Sequence, residues 1–185
     1  MKDYLVLDIE TGGLSPEKAS LLQIGVVFVK NGDIVYESEF NIKSDSYKVT
    51  PGAMAVNKLD LVKIHATGVT IDDFYETIAE MKGKIFGKDK PTVLGHNVAF
   101  DLSFIHYYVG KERWENLFSY RTLDTATIAR FLTDAGILTI SKTDLDSLAG
   151  RFVDMADITS TKRHTALHDA EITYAVYESL VRLAK

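Results

Sequence analysis

Cysteine is absent from the 185 residues of this chain, so the chain forms no disulfide and offers no thiolate to a metal ion. No apolar run approaches the ~20 residues that a helix needs to cross a bilayer. The N-terminal residues lack the layout of a signal peptide, and no repeat, low-complexity tract or Pro/Gly-rich linker divides the chain. We therefore expect a single domain over residues 1–185 that is soluble, cytoplasmic and not associated with a membrane.

An excess of positive charge is also missing, because the formal net charge is −5. A protein that contacts many phosphates usually has a basic surface, since counterion release supplies much of the affinity. A protein that holds only the end of a strand through bound cations needs no such surface. The net charge therefore does not decide whether the protein binds nucleic acid. The hydrophobic fraction of 46% and the charged fraction of 25% are those of a globular protein and do not indicate disorder.

Short apolar segments with two different periodicities run along the chain. Compact apolar and β-branched runs predict strands at 4–9, 21–30, 33–42, Thr92–Gly95 and 120–123. Asn31-Gly32 tolerates the positive φ angles of a type I′ turn and predicts a hairpin between the second and third strands. Apolar residues at helical spacing predict helices at 71–82, 99–109, about 124–132, 143–150 and 165–182. This order predicts the α/β class, with a mixed sheet, an antiparallel N-terminal meander and helices on its faces.

Two acids stand close together at the end of the first predicted strand. Side chains alternate between the faces of a strand, so Asp8 and Glu10 point the same way. A buried pair of like charges is costly unless it is neutralised, and hard divalent cations prefer carboxylate oxygens. Taken alone, the pair is equally compatible with a metal site and with a solvated strand end that leads into a Gly-Gly turn.

Two further clusters lie at predicted helix starts. Asp101 falls in the first turn of a helix, where the helix dipole favours an anion, and Asn97 just before it suits a turn or a helix cap. His164 precedes the last predicted helix, and Asp169 lies about a turn and a half into that helix. Considered separately, each of these residues is an ordinary cap, helix acid or surface histidine.

The combination has a chemical meaning that the single residues lack. Four carboxylates at the ends of neighbouring elements, with one histidine, are the groups needed for two-metal hydrolysis of a phosphodiester. In that chemistry two ions about 3.5–4 Å apart stabilise the attacking and the leaving oxygen. Histidine suits the general base because its unperturbed pKa of about 6.5 lies near neutral pH.

Three motifs in the chain resemble those of the DEDDh (DnaQ-like) 3′–5′ exonucleases, a family of the ribonuclease H-like superfamily. In chain order they are Asp8-Ile9-Glu10-Thr11-Gly12, His96-Asn97-x-x-Phe100-Asp101 and His164-x4-Asp169. The last spacing is typical of the histidine subgroup rather than of its tyrosine relatives. The resemblance covers essentially the whole chain. It implies a ribonuclease H-like three-layer fold, in which helices flank a mixed five-stranded sheet.

The resemblance also implies a catalytic role for each matching residue. Two Mg²⁺ or Mn²⁺ ions would be held by the four acids, Asp8, Glu10, Asp101 and Asp169. His164 would deprotonate the attacking water, and 5′-mononucleotides would be released from the 3′ end of DNA or RNA. A homodimer and a polymerase or repair complex are both compatible with such a chain.

Residues for binding the substrate follow from the same resemblance. Thr11, Gly12 and Gly13 match the backbone segment that meets the terminal sugar, and Leu14 matches an apolar wedge against the last base. Other candidates for contact with the terminal nucleotide are Asn57, Asn97 and Phe100. Many members of the family have a histidine at the position of Asn57, and asparagine can still donate a hydrogen bond to a sugar or a base. Stacking of this kind tolerates any base.

Four polar residues near the motifs have more than one interpretation. His168 breaks the His-x4-Asp spacing, so we expect it to cap or pack on the helix, and we expect Asp124 to be a helix cap rather than a metal ligand. Lys162 and Arg163 either guide the phosphate backbone or form a solvated loop.

Two other functions are compatible with the fold: a catalytically silent nucleic-acid-binding or scaffold module, and a hydrolase of another phosphate ester. The absence of a Walker-type Gly-rich loop disfavours a nucleoside triphosphatase.

Overall fold

Five strands form a single mixed sheet in the computed structural model, which describes residues 3–153 and 165–185. The strands are β1 (Tyr4–Thr11), β2 (Leu21–Lys30), β3 (Asp33–Asn41), β4 (Thr92–Gly95) and β5 (Thr122–Asp124). Their spatial order is β3-β2-β1-β4-β5. The β1–β2 and β2–β3 pairs are antiparallel, whereas β1–β4 and β4–β5 are parallel. The predicted N-terminal meander and mixed five-stranded sheet are therefore confirmed.

The hairpin between β2 and β3 turns at the predicted dipeptide. Asn31 has a φ of 56° and Gly32 a φ of 98°. Both angles lie in the left-handed region that a two-residue type I′ turn requires. The turn sets the register in which Gly25 on β2 faces Glu39 on β3. Because Gly25 also pairs with Asp8 on β1, this register places Glu39 two strands from Asp8.

Helices cover both faces of the sheet within the described ranges. They are α1 (Pro51–Asn57), α2 (Leu61–Thr67), α3 (Ile71–Phe86), α4 (Val98–Ile105), α5 (Lys111–Leu117), α6 (Thr125–Asp134), α7 (Leu145–Phe152) and α8 (Ala166–Leu183), with a π-helical turn at His106–Gly110 after α4. One core layer joins the sheet to α3, α4 and α5. On the other face α8 packs on the strands, and α6 and α7 pack against α8. None of these helices is both long and apolar enough to span a bilayer.

Alternation along β1 decides which face carries the acids. Leu5, Leu7 and Ile9 belong to the core shared with α3 and α4. Val6 belongs to the core shared with α8. Because alternate side chains share a face, residues 8 and 10 point toward α8. The sheet thereby presents two carboxylates to the first turns of that helix.

A glycine allows α8 to approach β2 closely at this point. Gly25 pairs with Asp8 across β1 and β2. A Cβ atom added at Gly25 would lie 2.1 Å from the carbonyl carbon and oxygen of Ala166 and 2.3 Å from the amide nitrogen of Leu167. Strand and helix are thus in backbone contact, which only glycine permits. This contact sets the start of α8 directly over the acidic end of β1.

Three short helices were absent from the sequence prediction. They are α1, α2 and α5, each of seven residues. In each of them a single residue is buried: Asn57, Ile64 and Trp114 respectively. One buried residue produces no apolar periodicity, so these helices depend on side-chain caps and tertiary packing rather than on an amphipathic pattern. The predicted helix 99–109 is also divided, since its second half widens into the π-helical turn.

Candidate active site

Three carboxylates from distant parts of the chain meet above the sheet. Asp8 and Glu10 come from β1, and Asp169 comes from the first turn of α8. Each residue offers one oxygen atom, and these oxygens lie within 4.8 Å of one another. All three side chains are partly buried. The spacing suits shared coordination of a cation by oxygen ligands.

The fourth acid, Asp101, approaches the same strand from α4. Its side chain is 3% exposed, and its Oδ1 accepts a hydrogen bond of 3.1 Å from the backbone N–H of Ile9. Ile9 is the residue between Asp8 and Glu10, so this bond anchors the carboxylate of Asp101 beside the pair. The structure therefore brings all four predicted acids to one end of β1.

Burial and mutual repulsion raise the pKa values of three of these acids. The pKa of Asp8 is raised well above its usual range, first by burial and then by the charges of Asp101, Asp169 and Glu10. Burial, Asp169 and Glu39 raise the pKa of Glu10 to about 8. Burial also raises the pKa of Asp101, although the hydrogen bond from Ile9 opposes it. The metal-free site thus disfavours its own ionised form.

Divalent cations fit this donor set. Mg²⁺ and Mn²⁺ prefer carboxylate oxygens, and a bound cation would neutralise the repulsion that raises the three pKa values. The acids would then release their protons on metal binding. Several acids with strongly perturbed pKa values in one place mark this cluster as a candidate functional site.

We predict that the metal-free protein loses stability as the pH rises. The pKa of Glu10 in the folded protein is about 8, above its unperturbed value of 4.5. The folded state therefore binds more protons than the unfolded state between these values, so the free energy of unfolding falls as the pH increases through this window. Thermal unfolding in EDTA should show a midpoint several degrees lower at pH 8 than at pH 5.

Two controls isolate the cause of this pH dependence. Adding Mg²⁺ should raise the midpoint more at pH 8 than at pH 5, because the cation binds the ionised acids. Glu10→Gln should flatten the metal-free pH profile, since glutamine does not titrate. A metal-free midpoint that rises from pH 5 to pH 8 would contradict the burial of ionisable acids at this site.

A mostly apolar cavity of about 580 Å³ opens beside Glu10. Of the predicted substrate residues, Thr11, Gly13, Leu14 and Asn57 line it. Two of its lining residues are strongly exposed, Leu14 at 88% and Val56 on α1 at 71%. The residues that the structure describes leave this apolar surface uncovered. A cavity of this size with apolar rims and a polar end suits a small organic ligand.

The backbone at Gly12 holds the lip of this cavity in place. The N–H of Gly12 donates to the Ser20 carbonyl at 2.8 Å, and its carbonyl accepts from the Thr50 N–H at 2.7 Å. A Cβ atom at position 12 would lie 2.2 Å from the carbonyl oxygen of Lys48. Any side chain would therefore force the two segments apart. Gly12 itself contributes close backbone packing to the site.

Asn57 makes its hydrogen bonds inside the protein. Its side chain is 5% exposed. Nδ2 donates to the carbonyl of Thr11 at 3.1 Å, and Oδ1 accepts from the N–H of Leu59 at 3.2 Å. Asn57 thus ties the end of α1 to the residue next to Glu10. This supporting contact was not predicted from the sequence.

The other two predicted substrate residues lie near the start of α4. Asn97 is exposed, with a left-handed φ of 56°, and occupies the N-cap position without a side-chain capping bond. Phe100 is half-buried and packs against Phe104 with ring centroids 5.2 Å apart. Phe104 in turn stacks on Tyr108, whose hydroxyl donates to the carbonyl of Ala19 at 2.8 Å. An aromatic row therefore connects Phe100 to the wall of the cavity.

The histidine predicted as the base, His164, lies outside the described residues, as do Lys162 and Arg163. The described chain resumes at Thr165, whose side chain caps α8. His168 is 2% exposed inside α8, which confirms the prediction that it packs on the helix. Asp124 caps α6 by accepting a hydrogen bond from Thr127, as predicted.

One acid near the site was missed by the sequence reasoning. Glu39 lies on the exposed edge strand β3 and accepts a hydrogen bond of 3.4 Å from the N–H of Leu167 at the start of α8. Its charge contributes to the raised pKa of Glu10. The available signal was the hairpin register, which places Glu39 beside Gly25 and therefore two strands from Asp8.

Comparison with known proteins assigns this fold and site to a class. The family model for the exonuclease domain, RNase_T, matches residues 5–177. The mixed sheet and the acidic cluster at the end of its first strand thus lie within an exonuclease domain. The chain belongs to the exonuclease family. The resemblance inferred from the three motifs is confirmed.

Relatives and solved structures agree with this assignment. A DNA polymerase III of the PolC type from Listeria monocytogenes is 30% identical over 98% of this chain but only 11% of its own length. The 3′-5′ DNA exonuclease Cap18 from Escherichia coli is 32% identical over 65% of this chain and 64% of its own length. The chain thus spans about a tenth of the PolC-type relatives it matches.

Two structures with low sequence identity share the fold. E. coli exonuclease I in a zinc-bound complex with single-stranded DNA gives a TM-score of 0.76 at 18% identity, covering 100% of this chain and 41% of the other. Exonuclease X in complex with 5′ overhanging duplex DNA gives a TM-score of 0.65 at 20% identity, covering 97% and 91%. These likenesses confirm the ribonuclease H-like architecture expected from the sequence.

Proposed function

We propose that residues 1–185 form one 3′–5′ exonuclease domain that hydrolyses phosphodiester bonds at nucleic-acid 3′ ends and releases 5′-mononucleotides. The observation that carries this proposal is the cluster of Asp8, Glu10 and Asp169, with oxygens within 4.8 Å of one another, next to a cavity of about 580 Å³.

The acids have a common role in this proposal. Asp8, Glu10, Asp101 and Asp169 hold two divalent cations, Mg²⁺ or Mn²⁺. When bound, such ions stabilise the attacking and leaving oxygens and lower the pKa of a coordinated water. His164 accepts the proton of the attacking water as general base. The hydrogen bond from Ile9 keeps one oxygen of Asp101 on the strand.

The cavity beside Glu10 receives the terminal nucleotide. Leu14 and Val56 flank its base, which is recognised by apolar contact and therefore without regard to its identity. The backbone of Thr11, Gly12 and Gly13 faces the sugar. Asn97 and Phe100 make further contacts, and Asn57 acts indirectly by supporting Thr11.

The comparisons support DNA, and single-stranded DNA in particular, as the substrate of this chain. Cap18 is named as a 3′-5′ DNA exonuclease, and exonuclease I was solved with single-stranded DNA. The PolC-type relatives are DNA polymerases, which supports a polymerase or repair context. The net charge of −5 is consistent with an enzyme that holds only a strand end and contacts few phosphates.

Release of labelled product tests the proposal directly. Single-stranded DNA, duplex DNA and RNA, each with a labelled 3′-terminal nucleotide, are incubated with Mg²⁺ or Mn²⁺ and with EDTA. We expect metal-dependent release of 5′-mononucleotides, fastest from single-stranded DNA. Failure to release them from all three substrates would refute the proposal. Tight binding of the strands without release would instead favour the catalytically silent binding module.

We predict that the apolar rims of the cavity control substrate affinity. Leu14→Ala and Val56→Ala each remove apolar contact with the terminal base, worth about 1–2 kcal/mol for an aliphatic side chain. The expected result is a rise in KM of roughly 5- to 30-fold, with a smaller change in kcat. Initial rates on a single-stranded oligonucleotide over a range of concentrations measure both constants.

Val62→Ala is the matched control for these two variants. Val62 on α2 is 79% exposed and does not line the cavity, so its truncation removes similar apolar surface away from the proposed base. We expect KM to stay unchanged. Equal KM values for Leu14→Ala, Val56→Ala and the unmodified protein would show that the base does not bind between these side chains.

A further inference from the structure

Asp124 joins the beginnings of two helices. It ends β5, and its Oδ1 accepts a hydrogen bond of 2.8 Å from the N–H of Thr127 in α6. Its Oδ2 accepts a second bond of 2.8 Å from the N–H of Val98, the first residue of α4. A helix cap needs only the first of these bonds. The second connects the carboxylate to a different helix.

The helix reached by the second bond is the one that carries Asp101. Val98 lies three residues before Asp101, so both belong to the first turn of α4. Asp101 then accepts a hydrogen bond from Ile9, between the two acids of β1. A continuous path of hydrogen bonds and one helical turn thus runs from Asp124 to the acidic cluster.

The turn between β4 and α4 supplies no side-chain cap to the helix that follows it. Asn97 has a left-handed φ of 56° and no side-chain capping bond. A Cβ atom added at Gly95 would lie 2.7 Å from the side chain of Val98, so strand and helix are closely folded together. Asparagine adopts the left-handed region readily, but α4 then begins without a cap from Asn97. Asp124 supplies the bond at the first helical residue after it.

The neighbour of Asp124 supports the same turn. Thr125 donates from its hydroxyl to the carbonyl of Gly95 at 3.3 Å and is hydrogen-bonded to Nδ1 of His96 at 2.9 Å. Residues 124 and 125 therefore contact three of the four residues from Gly95 to Val98. Both oxygens of Asp124 accept backbone N–H bonds, whereas Asp101 lies beside the Asp8 and Glu10 pair through its bond to Ile9.

We propose that Asp124 is a positioning residue that fixes the first turn of α4 and so places Asp101 at the metal-binding cluster. This inference rests on the proposed function of that cluster. The carboxylate accepts two hydrogen bonds at once, one on each oxygen. A neutral side chain of the same length with one acceptor oxygen cannot accept both. It does not bind the cation itself.

Metal affinity measured without substrate tests the inference. Mn²⁺ is titrated into the whole chain by calorimetry, for the unmodified protein and for Asp124→Ala. Loss of a group that orients a metal ligand typically costs about 10- to 100-fold in metal affinity or activity. We expect the Kd for Mn²⁺ to rise by that factor, and the Mn²⁺ concentration for half-maximal nuclease activity to rise with it.

Asp144→Ala is the matched control. Asp144 caps α7 by accepting bonds from the N–H and the hydroxyl of Ser147 at 3.0 and 2.9 Å. Burial lowers the pKa of His96, and the charges of Asp124 and Asp144 both oppose that effect. The two acids therefore share a neighbourhood and a capping role, but only Asp124 contacts α4. Asp144→Ala should lower the melting temperature and leave the Kd for Mn²⁺ unchanged.

Asp124→Ser keeps the test informative if the alanine variant does not fold. Serine retains an N-cap acceptor for α6, but its single oxygen cannot also reach Val98. We expect the same loss of Mn²⁺ affinity with a smaller loss of stability. Wild-type Mn²⁺ affinity in Asp124→Ser, or equal affinity losses in the Asp124 and Asp144 variants, would overturn the inference. A chain that binds Mn²⁺ but cleaves no nucleic acid would refute the proposed function alone.

Discussion

Asp8→Asn is expected to lower kcat at saturating Mg²⁺ by at least about a thousandfold, because losing a metal ligand removes several kcal/mol of transition-state stabilisation. Asparagine has nearly the same size and keeps one oxygen, but it lacks the charge that neutralises a cation. Rates of mononucleotide release at increasing Mg²⁺ concentrations measure the loss. A variant that retained a tenth of the wild-type kcat would show that Asp8 is not required for catalysis.

Stability should change in the opposite direction in the same variant. The pKa of Asp8 is raised by burial and by three neighbouring acids, so its ionised form destabilises the metal-free fold at neutral pH. Asn removes that charge, and the melting temperature in EDTA at pH 8 should exceed that of the unmodified protein. Glu37→Gln is the control, since Glu37 lies exposed on β3 and should alter neither kcat nor stability.

Gly25→Ala is expected to damage both the fold and the site. The new Cβ would meet backbone atoms of Ala166 and Leu167 at 2.1 to 2.3 Å, and backbone atoms cannot rotate away as a flexible side chain can. Overpacking of this kind costs about 3 kcal/mol. Because Asp169 moves with α8, kcat should fall by roughly 100-fold, the cost of misplacing a catalytic group by about 1 Å.

Gly83→Ala separates this effect from the general effect of replacing glycine. Gly83 lies within α3, and a Cβ added there meets nothing within 4 Å. Alanine should therefore stabilise the helix by about 0.5–1 kcal/mol and leave kcat unchanged. Urea unfolding and initial rates measure both quantities. Wild-type stability and activity in Gly25→Ala would refute the close contact between β2 and α8.

Long elements with a regular pattern could be predicted from the sequence. β2 and β3 follow from their apolar residues and the Asn31-Gly32 turn, and α3 follows from the spacing of its buried residues. The helices α1 and α2 could not be predicted in this way. Their starts depend on the caps Thr50 and Asp60, and each buries one side chain against structure distant in the sequence.

The supporting contacts of the site could not be predicted either. Asn57 resembles a substrate-binding residue in its motif position, yet its amide is engaged with Thr11 and Leu59. Asp124 has the local pattern of a helix cap, and its second bond to Val98 depends on how β4 and β5 pair. A hydrogen bond between residues far apart in sequence leaves no local signal, because either partner alone has an ordinary environment.

The acids remain the clearest case of what each level of structure decides. By itself the sequence determined their identity, their order and that Asp8 and Glu10 share one face of β1, since motif spacing and strand alternation are local properties of the chain. Only the tertiary structure decided that Asp169 meets them, because the backbone contact at Gly25 lets α8 lie against β2. Burial, another tertiary property, raised the pKa of Glu10 to about 8, because folding removes water from carboxylates that repel one another.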